Sequence, residues 1–162
     1  MKVLGVDPGT RRLGWGVVER TGTRLVHVAS GVVVTKGKDL SDRLLQIDRA
    51  LAGVLEEHRP DVGAVENIFF SKNAQSAAKL GHARGVVLLA IRRAGLGVAE
   101  YPPATVKRAV VGRGRAEKHQ VGMIITRLLS LSCAPEEDAA DALAVAVTHL
   151  NTQRFADAIK RA

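Results

Sequence analysis

The chain has 162 residues, 46% of them apolar, which is enough for one domain with a substantial hydrophobic core. Its longest stretch without Asp, Glu, Lys or Arg, residues 142–153, is too short to cross a bilayer. No secretory signal is predicted, because Asp7 interrupts the N-terminal apolar run, and the single Cys133 excludes an internal disulfide and a multi-cysteine zinc site. We therefore expect a cytoplasmic protein without a membrane partner.

The positive charge is concentrated in the middle of the chain. The formal net charge is +8, and residues 71–120 carry ten basic side chains against two acidic ones, so this segment holds the whole excess. Such a concentration favours a polyanionic partner, above all nucleic acid. An ordinary basic surface is the alternative interpretation.

The N-terminal third predicts three strands and a helix. The apolar runs are Lys2–Asp7, Leu13–Arg20 and Arg24–Val34. Thr21-Gly22-Thr23 separates the last two as a hairpin turn, which predicts an antiparallel meander. The apolar period then becomes helical over Asp39–His58, where Asp39 or Ser41 is the predicted N-cap.

The remaining segments alternate between strands and helices. We predict strands at Val62–Glu66 and Leu96–Tyr101, and helices at Asn73–Ala94, Thr105–Val111, Glu117–Leu131 and Pro135–Phe155. This order predicts a single α/β domain, a mixed five-stranded sheet flanked by helices. Residues 1–155 form that domain, and 156–162 are a C-terminal tail.

Four carboxylates occupy informative positions. Asp7 and Glu66 each close an apolar strand, so they are expected at a crevice on the carboxyl edge of the sheet. Asp138 and Asp141 lie three residues apart, on one face of the last helix. The alternatives are a turn role for Asp7, an ion pair for Glu66, and helix-dipole stabilisation for the two helical acids. Against the last, Asp141 lies in the apolar run AADALAVAV, where a partly buried acid must be paired or bind a metal.

The donor chemistry indicates a hard cation. Four carboxylates without cysteine favour Mg²⁺ or Mn²⁺. A cation site beside a basic segment favours phosphodiester chemistry, in which a pair of ions activates water and stabilises the leaving oxygen.

Four blocks, in this order, carry a family resemblance: GVDPGTRRLGWGVVE, VENIFFSKNAQSAAKLGHARGV, AVVGRGRAEKHQV and DAADALAVAVTH. Together they resemble the RuvC family of Holliday-junction resolvases from about residue 2 to residue 150. The resemblance implies a ribonuclease H-like fold and a homodimer that resolves four-way DNA junctions by paired symmetric nicks, in recombination and repair. It also implies two Mg²⁺ ions per active site, with Mn²⁺ as a substitute, and work alongside the RuvA and RuvB proteins. The family's catalytic, metal-binding acids fall on Asp7, Glu66, Asp138 and Asp141.

The resemblance further implies DNA contacts in the basic segment. Lys107 and Lys118 match lysines near the active cleft, where a lysine can contact the scissile phosphate or stabilise the charge that develops in the reaction. Plain phosphate positioning is the alternative for Lys118. Arg113 and Arg115 lie in a glycine-containing loop suited to approach DNA, or in an ordinary surface loop.

Two adjacent aromatics follow Glu66 closely. Phe69 matches the family's junction-contacting aromatic, and Phe70 is its neighbour; either stacks on bases or packs in the core. Asn67 and Phe70 depart from the residues expected in the family, which affects the geometry at the junction centre and not the chemistry.

The long helix from Asn73 is rich in alanine and glycine, which suits close packing within the chain or a dimer seam; the resemblance favours the dimer. The sequence spacing of His82, His119 and His149 does not predict a metal site. His119, next to Lys118, could contact phosphate.

Two other classes of protein compete with this interpretation. The DPGT turn resembles the first phosphate loop of actin-like ATPases, but the chain has no Gly-Gly pair for a second loop and little room for a second domain. The other class is a non-catalytic junction-binding module, in which the acids are only structural.

Overall fold

The computed structural model describes residues 1–67, 74–112 and 118–161, except the side chains of 74, 118 and 155–161. The strands are β1 (Lys2–Asp7), β2 (Arg12–Thr21), β3 (Arg24–Val34), β4 (Val62–Glu66) and β5 (Gly97–Tyr101). The helices are α1 (Leu40–His58), α2 (Ala74–Arg93), α3 (Pro103–Val111), α4 (Lys118–Leu128) and α5 (Glu137–Arg161).

The strands form one mixed sheet in the order β3-β2-β1-β4-β5. The pairs β1–β2 and β2–β3 are antiparallel, whereas β1–β4 and β4–β5 are parallel. Gly22 and Thr23 turn the β2–β3 hairpin, and Gly22 has a φ of 61°, a conformation that glycine adopts without a steric penalty. The predicted meander and mixed sheet are confirmed.

The helices cover both faces of the sheet. Because strand side chains alternate, Leu4 packs with α1 and α2 while Val3 packs with α3, α4 and α5. The α1–α2 layer buries Ile47 and Ile91, and the other layer is centred on Leu143. The result is a sheet between two helical layers with an apolar core on each face.

The ends of α1 at His58 and of α3 at Val111 agree with the prediction, and other helix ends differ from it. Asp39 is the N-cap residue of α1, but its side chain makes no cap hydrogen bond. Nearby, the Arg43 guanidinium donates to the carbonyl oxygens of Gly37 and Lys38, at 3.2 and 2.7 Å. α3 begins earlier than expected, at Pro103, where proline suits a first helical turn because its missing N–H is not needed there.

The last two helices also have different bounds. α4 ends at Leu128 and not at Leu131. α5 begins at Glu137, after Pro135, and continues past Phe155 to Arg161, through the segment expected to be a tail. The division between domain and tail remains a prediction. Among the described helices, none is long and apolar enough to cross a membrane.

Candidate active site

Two of the predicted acids lie side by side at one edge of the sheet. Val6 of β1 is paired with Val65 of the parallel strand β4, so Asp7 and Glu66, the next residue of each strand, end at the same edge. Both acids are partly exposed, unlike the buried valines before them. The expectation that these two strands bring their terminal acids together is therefore met.

The helix α5 brings a third acid to this edge. It crosses the sheet so closely that a Cβ on Gly5 of β1 would lie 2.0 Å from the Ala142 carbonyl oxygen. Asp141 is partly exposed, but its neighbours Ala140 and Ala142 are buried. Packing of this apolar helix against glycine thus fixes the backbone of Asp141 at this edge of the sheet.

Asp7, Glu66 and Asp141 line one cavity of about 180 Å³. Lys107 of α3 lines it too, and Pro103, Val106 and Val121 complete the lining. Because Val106 and Val121 are buried, the wall behind the charged groups is apolar, and electrostatic interactions there are stronger than in bulk water. The cavity combines three anionic oxygen donors with one ammonium group, a set suited to bind a cation and a phosphate together.

Asp138, the fourth predicted acid, does not line this cavity. Its carboxylate accepts a 2.6 Å hydrogen bond from Nε of Arg12, at the start of β2. The same guanidinium donates through Nη2 to Glu136 at 2.8 Å. The hydrogen bonds to Glu136 and to Asp138 raise the pKa of Arg12 further above its ordinary value. The structure thus brings together three of the four acids and holds the fourth beside them through an arginine.

Sequence reasoning did not single out Arg12. Its contact joins residues 126 positions apart, and no local spacing signals it. The contact depends on the start of β2 lying against the start of α5, where a Cβ on Gly14 would be 1.8 Å from the Asp138 carbonyl oxygen. A glycine two residues after a basic side chain is too common to have revealed this contact.

The four acids do not form a complete metal-binding site in this structure. Within 1–67, 74–112 and 118–161, no three His, Cys, Asp or Glu side chains are placed so as to hold one ion. The three cavity carboxylates nevertheless form an all-oxygen donor set, which fits Mg²⁺ or Mn²⁺ and not a thiophilic metal.

The remaining predicted residues are only partly described. Lys118 is the first residue of α4, but its side chain lies outside the described part of the chain. Phe69, Phe70, Arg113 and Arg115 lie outside the described residues altogether.

The histidines occupy different surroundings. Nδ1 of the buried His149 lies 2.8 Å from the Tyr101 hydroxyl, and burial lowers the pKa of this imidazole. His82 is exposed on α2, with Nδ1 lying 2.7 Å from the Ala78 carbonyl oxygen.

Comparison with known proteins agrees with this architecture. Residues 3–149 match the family model described as crossover junction endodeoxyribonuclease RuvC. The protein of that name from Sorangium cellulosum is 56% identical over 160 residues, covering 98% of this chain and 89% of the relative. The one from Caulobacter vibrioides is 52% identical over 151 residues, covering 93% and 89%.

The fold is also that of a solved relative. The structure of Thermus thermophilus RuvC in complex with a Holliday junction substrate superposes with a TM-score of 0.90 at 38% identity, covering 96% of each chain. This likeness confirms the predicted ribonuclease H-like fold. With the family model matched over nearly the whole chain and relatives more than half identical to it, this protein belongs to the RuvC family of crossover junction endodeoxyribonucleases.

Proposed function

We propose that the protein is a structure-specific endonuclease that resolves Holliday junctions by paired symmetric nicks, in homologous recombination and DNA repair. The observation that carries this proposal is the cavity in which Asp7, Glu66 and Asp141 meet Lys107. A cluster of carboxylates with one lysine, at the edge of a sheet in a basic protein, is suited to metal-dependent hydrolysis of a phosphodiester. The structure of the Thermus relative was solved with a Holliday junction substrate, which supports the same substrate here.

The chemistry requires a divalent cation, Mg²⁺ by preference with Mn²⁺ as a substitute, and two ions per site. Asp7, Glu66 and Asp141 would hold the ions, which supply a more acidic bound water and charge stabilisation at the phosphate. Lys107 faces the same space and stabilises negative charge that develops on the phosphate oxygens.

We expect Asp138 to leave Arg12 and join Asp7, Glu66 and Asp141 when the site is active. In the structure its carboxylate is bound to Arg12, which is itself shared with Glu136. All three side chains are partly exposed, at 46% for Arg12, 25% for Asp138 and 66% for Glu136. Asp138 can therefore leave Arg12 without leaving a buried charge unpaired. Glu136 then remains as the partner of Arg12.

Further DNA contacts are assigned to the basic segment and the aromatic pair. Lys118, Arg113 and Arg115 follow Lys107 along the chain and are expected to contact backbone phosphates. Phe69 and Phe70 come three and four residues after Glu66, near the site in sequence, and are expected to stack on bases at the junction centre.

The protein acts as a homodimer that pairs through α2. A groove of about 510 Å³ on this helix is lined by Gly81, Gly85 and Leu89 with Leu44, Ala78, His82 and Val86. Gly81 and Gly85 are exposed, a Cβ at either would meet nothing within 4 Å, and Leu89 is 48% exposed. A two-fold dimer built on this face would present two equivalent active sites to a four-way junction.

The cellular setting is inferred from the family. We place the protein in the cytoplasm, working with RuvA and RuvB on four-way junction DNA. The exposed single Cys133 is compatible with a reducing compartment, where such a thiol is not oxidised to a disulfide.

The test is cleavage of a synthetic four-way junction against a linear duplex of the same sequence, with Mg²⁺, Mn²⁺ or a chelator. Paired nicks in the junction alone are expected, only with a divalent cation. The Asp7→Asn protein should bind the junction as well as or better than the wild type, because negative charge near phosphate is removed, but should not cut it. Cutting by Asp7→Asn at the normal rate would contradict the site, and binding without cutting in either metal would indicate a non-catalytic junction-binding module.

A further inference from the structure

A second charged pocket lies at the end of the molecule opposite to the acidic cavity. It has a volume of about 1000 Å³ and opens between the β2–β3 hairpin, the end of α4 and the C-terminal half of α5. Its basic side chains are Arg20, Arg24, His27 and Arg154. Among the described residues that line it, none is acidic, although carboxylates are common elsewhere on the surface. The described part of the pocket therefore concentrates positive charge.

Arg20 is positioned as a fixed donor within this pocket. Its Nη2 donates a 3.0 Å hydrogen bond to the Asn151 side-chain oxygen, which orients the guanidinium. Its Nε is buried, and no hydrogen-bond partner for it exists among the described residues. A buried donor without a partner costs free energy, so Arg20 is held in this position at an energetic cost.

The surroundings of Arg20 disfavour its own charge. Burial lowers the pKa of Arg20, and the positive charge of Arg154 lowers it further. Among the described residues, Arg20, Arg24 and Arg154 take part in no ion pair. Guanidinium groups that approach one another without a carboxylate repel, and a bound oxyanion converts that repulsion into attraction.

We propose that this pocket binds a phosphate group, held between the guanidinium groups of Arg20, Arg24 and Arg154. The planar guanidinium fork matches the geometry of phosphate oxygens, so a pocket lined by three such forks favours a phosphate over a simple halide. The hydroxyl groups of Thr21, Thr23 and Ser130 in the lining offer further donors.

This phosphate site is separate from the acidic cavity. Asp141 and Arg154 are thirteen residues apart on α5, which places them about 20 Å apart along the helix axis. B-form DNA advances about 3.4 Å per nucleotide of a strand, so for a junction arm that runs parallel to α5 this distance corresponds to about six base pairs. The phosphate is therefore either that of a junction arm, about six base pairs from the cut, or a free phosphate compound.

Binding of inorganic phosphate tests the pocket independently of DNA and of catalysis. Amide resonances of the wild-type protein at 20–27 and 151–154 should shift as phosphate is added. Arg24→Ala and Arg154→Ala should each weaken phosphate binding about tenfold, since one charged hydrogen bond of about 1.5 kcal/mol corresponds to that factor. Arg49→Ala, which removes the same charge from an exposed position on α1, is the matched control and should bind phosphate as the wild type does.

Junctions with altered backbones distinguish the two sources of phosphate. If the site receives DNA, Arg154→Ala should make the salt dependence of junction binding shallower, by about 0.9 in the logarithmic slope for each phosphate that is no longer neutralised. Uncharged methylphosphonate linkages about six base pairs from the cut should weaken binding by the wild type and not by Arg154→Ala, because both changes remove the same interaction.

Each outcome decides the proposal. Phosphate-induced shifts together with a changed salt slope support a phosphate site for a junction arm. Shifts without any change in junction binding support a site for a free phosphate compound. The proposal is overturned if Arg24→Ala and Arg154→Ala match Arg49→Ala both in phosphate binding and in salt slope.

Discussion

The helices α5 and α2 use small residues for opposite purposes. In α5 every residue from Ala142 to Leu150 is buried, and the sheet beneath it has glycines where the helix approaches closely. In α2 one side packs into the core through Ala83 and Val87, while Gly81 and Gly85 on the other side are exposed with open space above them.

The packing of α5 is completed within the chain, whereas one side of α2 remains open. Around α5 the glycines are required by contacts within the chain, and the result is a fixed position for Asp141 at the sheet edge. Around α2, a Cβ at Gly81 or Gly85 would meet nothing within 4 Å, and the proposed dimer would use this open space.

The largest effect is expected at Gly5, beneath α5. The Gly5→Ala methyl would lie 2.0 Å from the Ala142 carbonyl oxygen and 2.7 Å from the Ala146 nitrogen, so sheet and helix must separate. Overpacking that displaces backbone should cost more than about 3 kcal/mol of unfolding free energy. Urea unfolding measures this loss of unfolding free energy. Gly53→Ala in α1, where nothing lies within 4 Å, is the control and should stabilise the protein by about 0.5–1 kcal/mol. Equal stabilities for the two variants would contradict the close α5 contact.

The next effect concerns the cavity that α5 completes. Lys107→Ala should lower the rate of junction cutting about 100-fold, because a donor aimed at developing charge is removed from a partly apolar site. Junction affinity, measured by fluorescence anisotropy, should change far less than the rate. A loss of affinity equal to the loss of rate would instead make Lys107 a positioning contact.

On α2 the expected effect is on assembly. Gly81→Leu places a large side chain in the groove that the partner helix would fill. The dissociation constant of the dimer should therefore rise at least about tenfold, which corresponds to about 1.4 kcal/mol. Light scattering over a dilution series measures this. Gly53→Leu adds the same side chain to an exposed, open position on α1 and should leave the dimer intact. A Gly81→Leu protein that dimerises as the wild type does would exclude this face as the seam.

The smallest effect is a pH dependence that originates in α5. Burial lowers the pKa of His149 below its ordinary value of about 6.5, so the unfolded chain binds a proton more readily than the folded one. This contribution to stability is complete above about pH 6.5 and is lost as the pH falls towards the lowered value. Urea unfolding between about pH 7.5 and 5.5 should show the decline.

The matched variant is His149→Gln, which retains a polar partner for the Tyr101 hydroxyl but cannot titrate. It should flatten the decline, though not abolish it, because burial also lowers the pKa of His27. The exposed His82→Gln protein is the control for loss of a histidine. An undiminished decline in His149→Gln would show that other groups cause it.

Much of the strand framework could be predicted because its signals are local. The bounds of β1, β3 and β4 follow apolar runs that end at turn residues, and the structure reproduces them. The helix ends were less predictable. α5 continues to Arg161, well beyond the apolar run, and the Asp39 cap lacks its side-chain bond because helix ends depend on packing as well as on residue type.

The candidate active site was also predictable only where its signals are local in the sequence. That Asp7 and Glu66 would meet follows from their positions at the ends of two strands, once these strands are parallel neighbours. That Asp138 would instead bind Arg12 does not follow from spacing, because it depends on how two distant segments pack. Residue spacing on a helix determines which acids point in a similar direction, but not which distant side chain each acid binds.

The cavity carboxylates are proposed to hold the cations that promote cutting, and Asp141→Asn tests this role most directly. The matched control is Asp39→Asn, which changes an exposed carboxylate without a side-chain cap bond. Junction binding and cutting are measured together in Mg²⁺. We expect Asp141→Asn to bind the junction at least as tightly as the wild type but to cut at least about 100-fold more slowly, since metal-assisted charge stabilisation is worth several kcal/mol and each 1.36 kcal/mol is about tenfold in rate. Asp39→Asn should cut normally. Normal cutting by Asp141→Asn would show that this carboxylate does not hold a catalytic cation.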